Sequence, residues 1–239
     1  MSPRKANQPQ LSTAQIVAAA MELIDETGLE GHTMRALGTK LGVDASTIYY
    51  HVPNKSALYS LIVDEVMSGL DLSGDDPTCS IEDRLVSAAW EYRRALLAHP
   101  RALPLVAVRS MRSRTQLQGI EILLGILFEA GLTPVEAMVG IDVIGQLIMG
   151  MTSVYAAALT ANEYHDGSEP FAELPSEQFP HLRRLLTEGA YLGFDVEFEA
   201  AIRALVGGLL ASAATGTFIP RDARPAPFDP KLINNNTTR

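Results

Sequence analysis

The chain has 239 residues, 47% of them hydrophobic, 20% charged and 6% aromatic, with a formal net charge of −9. That length suits one small and one larger domain, and the aliphatic content is enough for a sizeable core. The single cysteine, Cys79, excludes an internal disulfide framework and suits a reducing compartment, while residues 1–10 are polar and show no secretory leader. A strongly acidic chain argues against a nucleic-acid partner, but the acidity is unevenly placed. Residues 1–55 carry Arg4, Lys5, Arg35, Lys40 and Lys55 against Glu22, Asp25, Glu26, Glu30 and Asp44, so the whole −9 lies beyond them. A neutral segment is still a weak electrostatic footprint, since phosphate contacts usually come from clustered Lys and Arg.

Taken in order, Ser12 and Gln15 have the spacing of a capping box, opening a helix that carries Ile16, Ala20, Leu23 and Ile24 on one face. Gly28 is expected to end it. Thr33 then caps a second helix. Gly38 falls where a side chain would keep the next helix from crossing closely, and Gly42 where the chain must reverse. Asp44 is expected to cap a third helix, 44–50, through its side chain. Pro53 stops that helix, and Asn54 caps a fourth running to about residue 70. Leu37, Leu41, Val43 and Ile48 face inward, leaving a hydroxyl-rich and aromatic outer face. The plan is a scaffold helix, a glycine turn and a second helix presented outward.

A polar break at 71–78 separates this unit from the rest. Ser80 with Asp83 starts a helix ending near His99-Pro100, and Pro104 starts a short one reaching about Arg109. An apolar helix follows over 112–130. Thr133-Pro-Val-Glu136 is a compact start signal for the next, to about 161. Its segment 143–159 carries no charge, which raises a membrane span. The uncharged run is shorter than the ~20 residues a bilayer core needs, and no flanking Lys or Arg marks an inside face. A helix buried on all sides is the expectation. Residues 162–180 read as a long loop, 181–189 as a short helix, and Asp195 as the cap of a last helix ending at Gly216. The Pro-rich end, with Asn-Asn-Asn-Thr-Thr-Arg, reads as a disordered tail. Two such apolar helices exceed what one small all-α core must cover, so a subunit interface is the expected second burial.

Catalytic signals are sparse. The five histidines have no metal-ligand spacing, and no nucleophile-elbow pattern positions a serine, so neither enzyme nor cofactor is expected.

The run Leu-Gly-Val-Asp-x-Ser-Thr-Ile-Tyr-Tyr-His-Val-x-Asn-Lys-x-x-Leu at 41–58 resembles the signature of the tetracycline-repressor family of transcriptional regulators. Ala95-Leu-Leu-Ala-His99 and Gly193-Phe-Asp-Val-Glu-Phe resemble the subgroup with a tetracycline-repressor-like C-terminal domain, so the likeness covers roughly residues 10–215. It implies an all-α, homodimeric, cytoplasmic repressor that leaves a palindromic DNA operator when a small molecule binds. The implied domains are a helix-turn-helix head (10–55), a connecting helix (56–71), a ligand-binding and dimerisation body (80–215) and a tail (216–239). By the resemblance Thr33 and Arg35 hold phosphates, and Ala45, Ser46 and Thr47 face base edges. Tyr49, Tyr50 and His51 pack on sugar-phosphate, and Lys55 binds a phosphate. Packing tyrosines are the plainer reading of Tyr49 and Tyr50. Ala45 stands where the tetracycline repressor has a longer amide; its methyl suits a thymine methyl instead.

Where those repressors use pocket histidines to hold a metal-drug chelate, this chain has Val106 and Gln146, so a metal-free, mostly hydrophobic effector is expected. The expected pocket is bounded by Trp90, Tyr92, Leu123, Phe128, Met149 and Tyr155, with Arg109, Glu121 and Gln146 as polar anchors. Solvated Arg109 and Glu121, a core Met149 and a Gln146 bonded across helices are the plainer readings. The competing classes are an all-α carrier or enzyme whose helix-turn-helix only packs, and a transcriptional activator.

Overall fold

The computed structural model describes residues 11–108, 114–161, 174–175, 177–189 and 193–219, all helix and connecting turn. Arg109 and most of the 162–180 loop lie outside them, as does the tail beyond 219.

Three short helices make the head: α1 (Thr13–Gly31), α2 (Met34–Leu41) and α3 (Ala45–His51). The capping box at Ser12 and Gln15 forms in both directions. Thr33 caps α2 by accepting the Ala36 amide. Gly42 closes α2 in the left-handed region, φ 68°, while the Val43 amide reaches back to the Gly38 carbonyl at 2.9 Å. A Cβ on Gly38 would stand 2.7 Å from the Val43 carbonyl oxygen, so only glycine permits this crossing. Leu37, Ile48, Val52, Leu58 and Ile62 are fully buried behind it. Each such side chain is worth roughly 1.5–3 kcal/mol over exposure, so this seam outweighs any single cap in holding the head together.

Two local expectations are corrected here. Asp44 precedes α3, but its carboxylate makes no cap; its backbone carbonyl takes the Thr47 amide at 2.9 Å instead. Gly28 does not end α1 outright. It breaks the helical path (φ 73°, ψ 177°), and the chain makes a further turn to Gly31.

α4 (Lys55–Ser68), capped by Asn54 accepting the Ala57 amide at 2.7 Å, starts in the head and ends in the body. The body is a bundle of α5 (Ile81–Ala98), α6 (Leu103–Val108), α7 (Arg114–Glu129), α8 (Pro134–Ala161), α9 (Pro180–Thr187) and α10 (Phe194–Thr215). A 3-10 turn, Pro100–Ala102, precedes α6, which therefore begins one residue before Pro104. Gly193, not Asp195, holds the N-cap position of α10, with no side-chain cap. Asp195 lies in the first turn and pairs with Arg93 instead, at 2.7 Å.

α5 is the central strut, packing on α4, α7, α8 and α10. It carries two buried arginines. Arg84 grips Asp75 through two 2.7 Å bonds and Glu129 through a third, tying the 71–80 connection to α7. Arg93 sits 4.8–5.0 Å from the ring centres of Trp90, Tyr155 and Phe198, fastening α5 to α8 and α10.

The expectation that α8 is buried on all sides does not hold. One side meets α5, α7 and α10, while Val135, Met138, Val139, Val143, Val154 and Leu159 are exposed. α8 and α10 are long and apolar enough to cross a membrane by composition, yet each has one face in this bundle. A single chain has too few helices to cover both faces of each.

Candidate nucleic-acid interface and internal cavity

The outer surface of the head is assembled from three adjoining pieces: the start of α2, the outer face of α3 and the start of α4. Thr33 and Arg35 are exposed at the first of these. Ser46, Thr47, Tyr49 and Tyr50 are exposed on α3, where Ile48 points inward. Tyr50 is 85% exposed, and its ring meets that of His51 edge-on, centroids 5.3 Å apart. A phenol ring so fully in water has no packing role within the chain, which argues against the plainer reading for Tyr50. Tyr49, at 46%, is half in and half out. Ala45 is half-buried against the core, so much of its methyl is turned from solvent.

Lys55 starts α4 and donates to the His32 carbonyl at 2.7 Å, its ammonium 5.2 Å from the Tyr59 ring centre. One of its three protons is therefore used internally. His32, fully buried beneath it, was not singled out from the sequence; its only signal was a histidine amid cap residues. Its Nδ1 lies 3.3 Å from the Tyr59 hydroxyl, and its Nε2 has no hydrogen-bond partner among the described residues. Burial, and then the Lys55 charge, push its pKa down. Lys40 is drawn away from the outer face by Glu22 and Glu26, at 3.2 and 2.8 Å. Amides at the starts of α2 and α4 remain the fixed positive ends of this surface.

The body holds an apolar cavity of about 70 Å3. Its walls are Met67 of α4 and Leu70 just past its end; Leu85, Ala88, Ala89 and Tyr92 of α5; Gln116, Gly119, Ile120, Leu123 and Leu127 of α7; and Ile141, Ile144, Gly145 and Ile148 of α8. Of the residues expected to bound one pocket, Tyr92 and Leu123 stand on it. The others are dispersed. Trp90 packs edge-on against Phe198 and Tyr155 against Phe194, both beside Arg93. Val106 is buried in α6, and Met149 packs on the core away from the cavity. Glu121, Phe128 and Gln146 are exposed. Val106 and Gln146, expected to face one ligand, sit in a buried and an exposed environment. Arg109 lies outside the described residues. The dispersal follows from α8 showing only one face to the bundle: Ile144 and Ile148 turn inward, so Gln146 between them turns out. The sequence missed Met67 of α4, Leu70 just past its end and the buried Gln116 of α7.

Two families match. Bacterial regulatory proteins of the tetR family match residues 16–62, and the tetracyclin repressor-like C-terminal domain matches residues 73–213. Tetracycline repressor protein class D of Escherichia coli is 28% identical over 83% of this chain and 95% of its own. HTH-type transcriptional repressor DrrR1 of Streptomyces coeruleorubidus is 27% identical over 79% and 69%. Among solved structures, apo ActR from Streptomyces coelicolor superposes with a TM-score of 0.76 at 24% identity, covering 88% of this chain and all of that one. The first match covers the head and the second the body, and the chain belongs to the tetracycline-repressor family of bacterial regulators.

Proposed function

We propose that the chain is a ligand-responsive, DNA-binding transcriptional repressor, released from its operator when a small, largely hydrophobic molecule enters the body. The family and the named relatives are regulators, not enzymes. The observation that carries the reading is the path of α4. Its first residue, Lys55, belongs to the head surface, and its last turn supplies Met67 to the cavity wall, with Leu70 following just past the helix end.

The size of the cavity supports the same coupling. Sites for drug-sized molecules run to roughly 300–1,000 Å3. About 70 Å3 is well below that, so an effector has to move a wall. Moving the α4 wall re-aims the head. A ligand shifts the equilibrium only as far as it prefers one arrangement over the other, and α4 is the element through which that preference reaches DNA.

On this reading the head spans residues 10–55, α4 and its exit to residue 71 form the transmitter, and 80–215 form the body. The protein acts in the cytoplasm as a homodimer. The exposed apolar faces of α8 and α10 support this, since two copies bury what one cannot. Each α3 enters a major groove of a palindromic operator, the half-sites one helical turn (~34–36 Å) or a multiple apart. Ser46 and Thr47 reach base edges, with Ala45 offering at most part of a methyl. Thr33, Arg35, Tyr49, Tyr50, His51 and Lys55 hold the backbone.

Binding of the full-length protein to labelled duplexes from its own upstream region is the test, followed by fluorescence anisotropy at low and moderate salt. Saturable binding to one duplex, competed by itself far better than by random DNA, is expected. Equal, weak affinity for all duplexes sinks the repressor reading and favours a carrier.

A further inference from the structure

Resting on the effector reading above, we infer that the cavity takes an electrically neutral molecule with an apolar body and one hydrogen-bonding group, and that the Tyr92 hydroxyl selects it. Three observations on the wall and its surroundings converge on this.

The first is the absence of spare charge. Among the described residues no carboxylate and no Lys, Arg or His side chain lines the cavity; Tyr92 and Gln116 are its polar side chains. The two buried cations of α5 lie near by in sequence, but both are committed. Arg84 is held by Asp75 and Glu129, and Arg93 by Asp195 and three aromatic rings. An ion brought into this space would lose its water with nothing to neutralise it, a cost of several kcal/mol or more.

The second is Tyr92 itself. Burial pushes its phenol pKa up, so the hydroxyl stays protonated and neutral. Buried tyrosine hydroxyls usually find a partner. Tyr92 stands on an otherwise apolar wall, half-buried, and its hydroxyl is not among the fully buried atoms left without a partner, so it is accessible to water or to a ligand. Gln116 already has an interaction of its own. A ligand oxygen or nitrogen at Tyr92 would bond a group that the fold leaves accessible.

The third is the donor set. Among the described residues no group of three His, Cys, Asp or Glu side chains is placed to hold a metal ion. A chelate would bring its charge into the cavity without protein ligands for its metal.

Calorimetry with the full-length protein and three probes on one ring framework tests the inference: naphthalene, 1-naphthol and 1-naphthalenesulfonate at pH 7. Naphthol is expected to bind fivefold to tenfold more tightly than naphthalene, about the worth of one net hydrogen bond. The sulfonate is expected to be weaker than naphthol by about a hundredfold or more. Tyr92→Phe keeps the ring and removes the hydroxyl; it should erase the naphthol advantage and leave naphthalene unchanged. Gly145 faces open space, with nothing within 4 Å of a Cβ, so Gly145→Leu fills the cavity and should weaken naphthalene and naphthol alike. The inference is overturned if the sulfonate binds within tenfold of naphthol, or if none of the three binds. It also fails if Tyr92→Phe leaves the naphthol-to-naphthalene ratio intact, if Gly145→Leu weakens neither neutral probe, or if tetracycline with magnesium outcompetes naphthol. Operator binding is measured separately without ligand. A protein that sorts the probes as expected but ignores DNA refutes the regulator reading alone.

Discussion

Arg101, in the turn between α5 and α6, donates to the backbone carbonyl of Glu26 in α1 across 2.8 Å. That carbonyl is available because Gly28 breaks the helix two residues later, leaving the last carbonyls of the regular part of α1 without their usual amides. A cation at a helix C-terminus also suits the helix dipole. One turn back along the chain, His99 Nδ1 lies 2.9 Å from the Asp25 carboxylate. The body therefore caps the first helix of the head, and α4 is not the sole tie between the two. Arg101→Ala should speed hydrogen exchange of the amides around residues 25–31 severalfold, with little change in the midpoint of thermal unfolding. Unchanged exchange there would show that the bond contributes nothing to holding the head.

The aromatic face of α3 gives a prediction free of folding effects. Tyr50 is 85% exposed and touches little but His51, so Tyr50→Ala should leave thermal stability within ~0.5 kcal/mol. On the proposed placement of the ring against the DNA backbone, operator affinity should nevertheless fall about tenfold, equally on specific and random duplexes. Lys55→Ala is a less clean probe, since it also removes the bond to the His32 carbonyl. A loss for Tyr50→Ala confined to one sequence would place the ring on a base.

The head was legible in the sequence because its determinants are local. Caps at Ser12, Thr33 and Asn54 and the turn glycine Gly42 each act within a few residues, and each appears where expected. Asp44 failed for a local reason too: the backbone took the bond its side chain was expected to take. The cavity was less legible because its lining depends on which face of α8 turns inward. Apolar residues all round that helix hide the answer, and Gln146 went outward with Val143 and Val154. Met67, Leu70 and Gln116 could not be told from core by spacing, because a cavity wall and a core face obey the same periodicity.

Two glycines separate backbone need from mere vacancy. At Gly38 a Cβ would meet the Val43 carbonyl oxygen at 2.7 Å and the Ala45 amide at 3.4 Å, both backbone atoms that cannot step aside alone. At Gly145 a Cβ meets nothing within 4 Å. Gly38→Ala should therefore destabilise the head by ~1–3 kcal/mol. Gly145→Ala should be neutral or stabilising by up to ~1 kcal/mol, the helix preference for alanine acting without a clash. Urea unfolding of the two variants against the parent checks both; equal effects would mean that the α2–α3 crossing is looser than the distances indicate.

His32 makes the head sensitive to acid. It is buried among α1, α2 and α4 with Tyr59 beside Nδ1, Lys55 over its carbonyl and Nε2 without a hydrogen-bond partner among the described residues. Burial, then the Lys55 charge, lower its pKa below the usual 6.5, so the folded head holds the neutral ring. Above 6.5 neither the folded nor the unfolded chain binds a proton there, and the full stability is present. As pH falls below 6.5 the unfolded chain takes up the proton first, and stability declines until the folded ring also protonates at its lower value. Replacing the ring by one that cannot titrate removes this dependence. His32→Phe should flatten the fall in stability below pH 6.5 relative to the parent, whatever it does to stability at pH 8. Thermal unfolding across that pH range for both proteins is the measurement, and parallel curves would mean that another group sets the acid sensitivity.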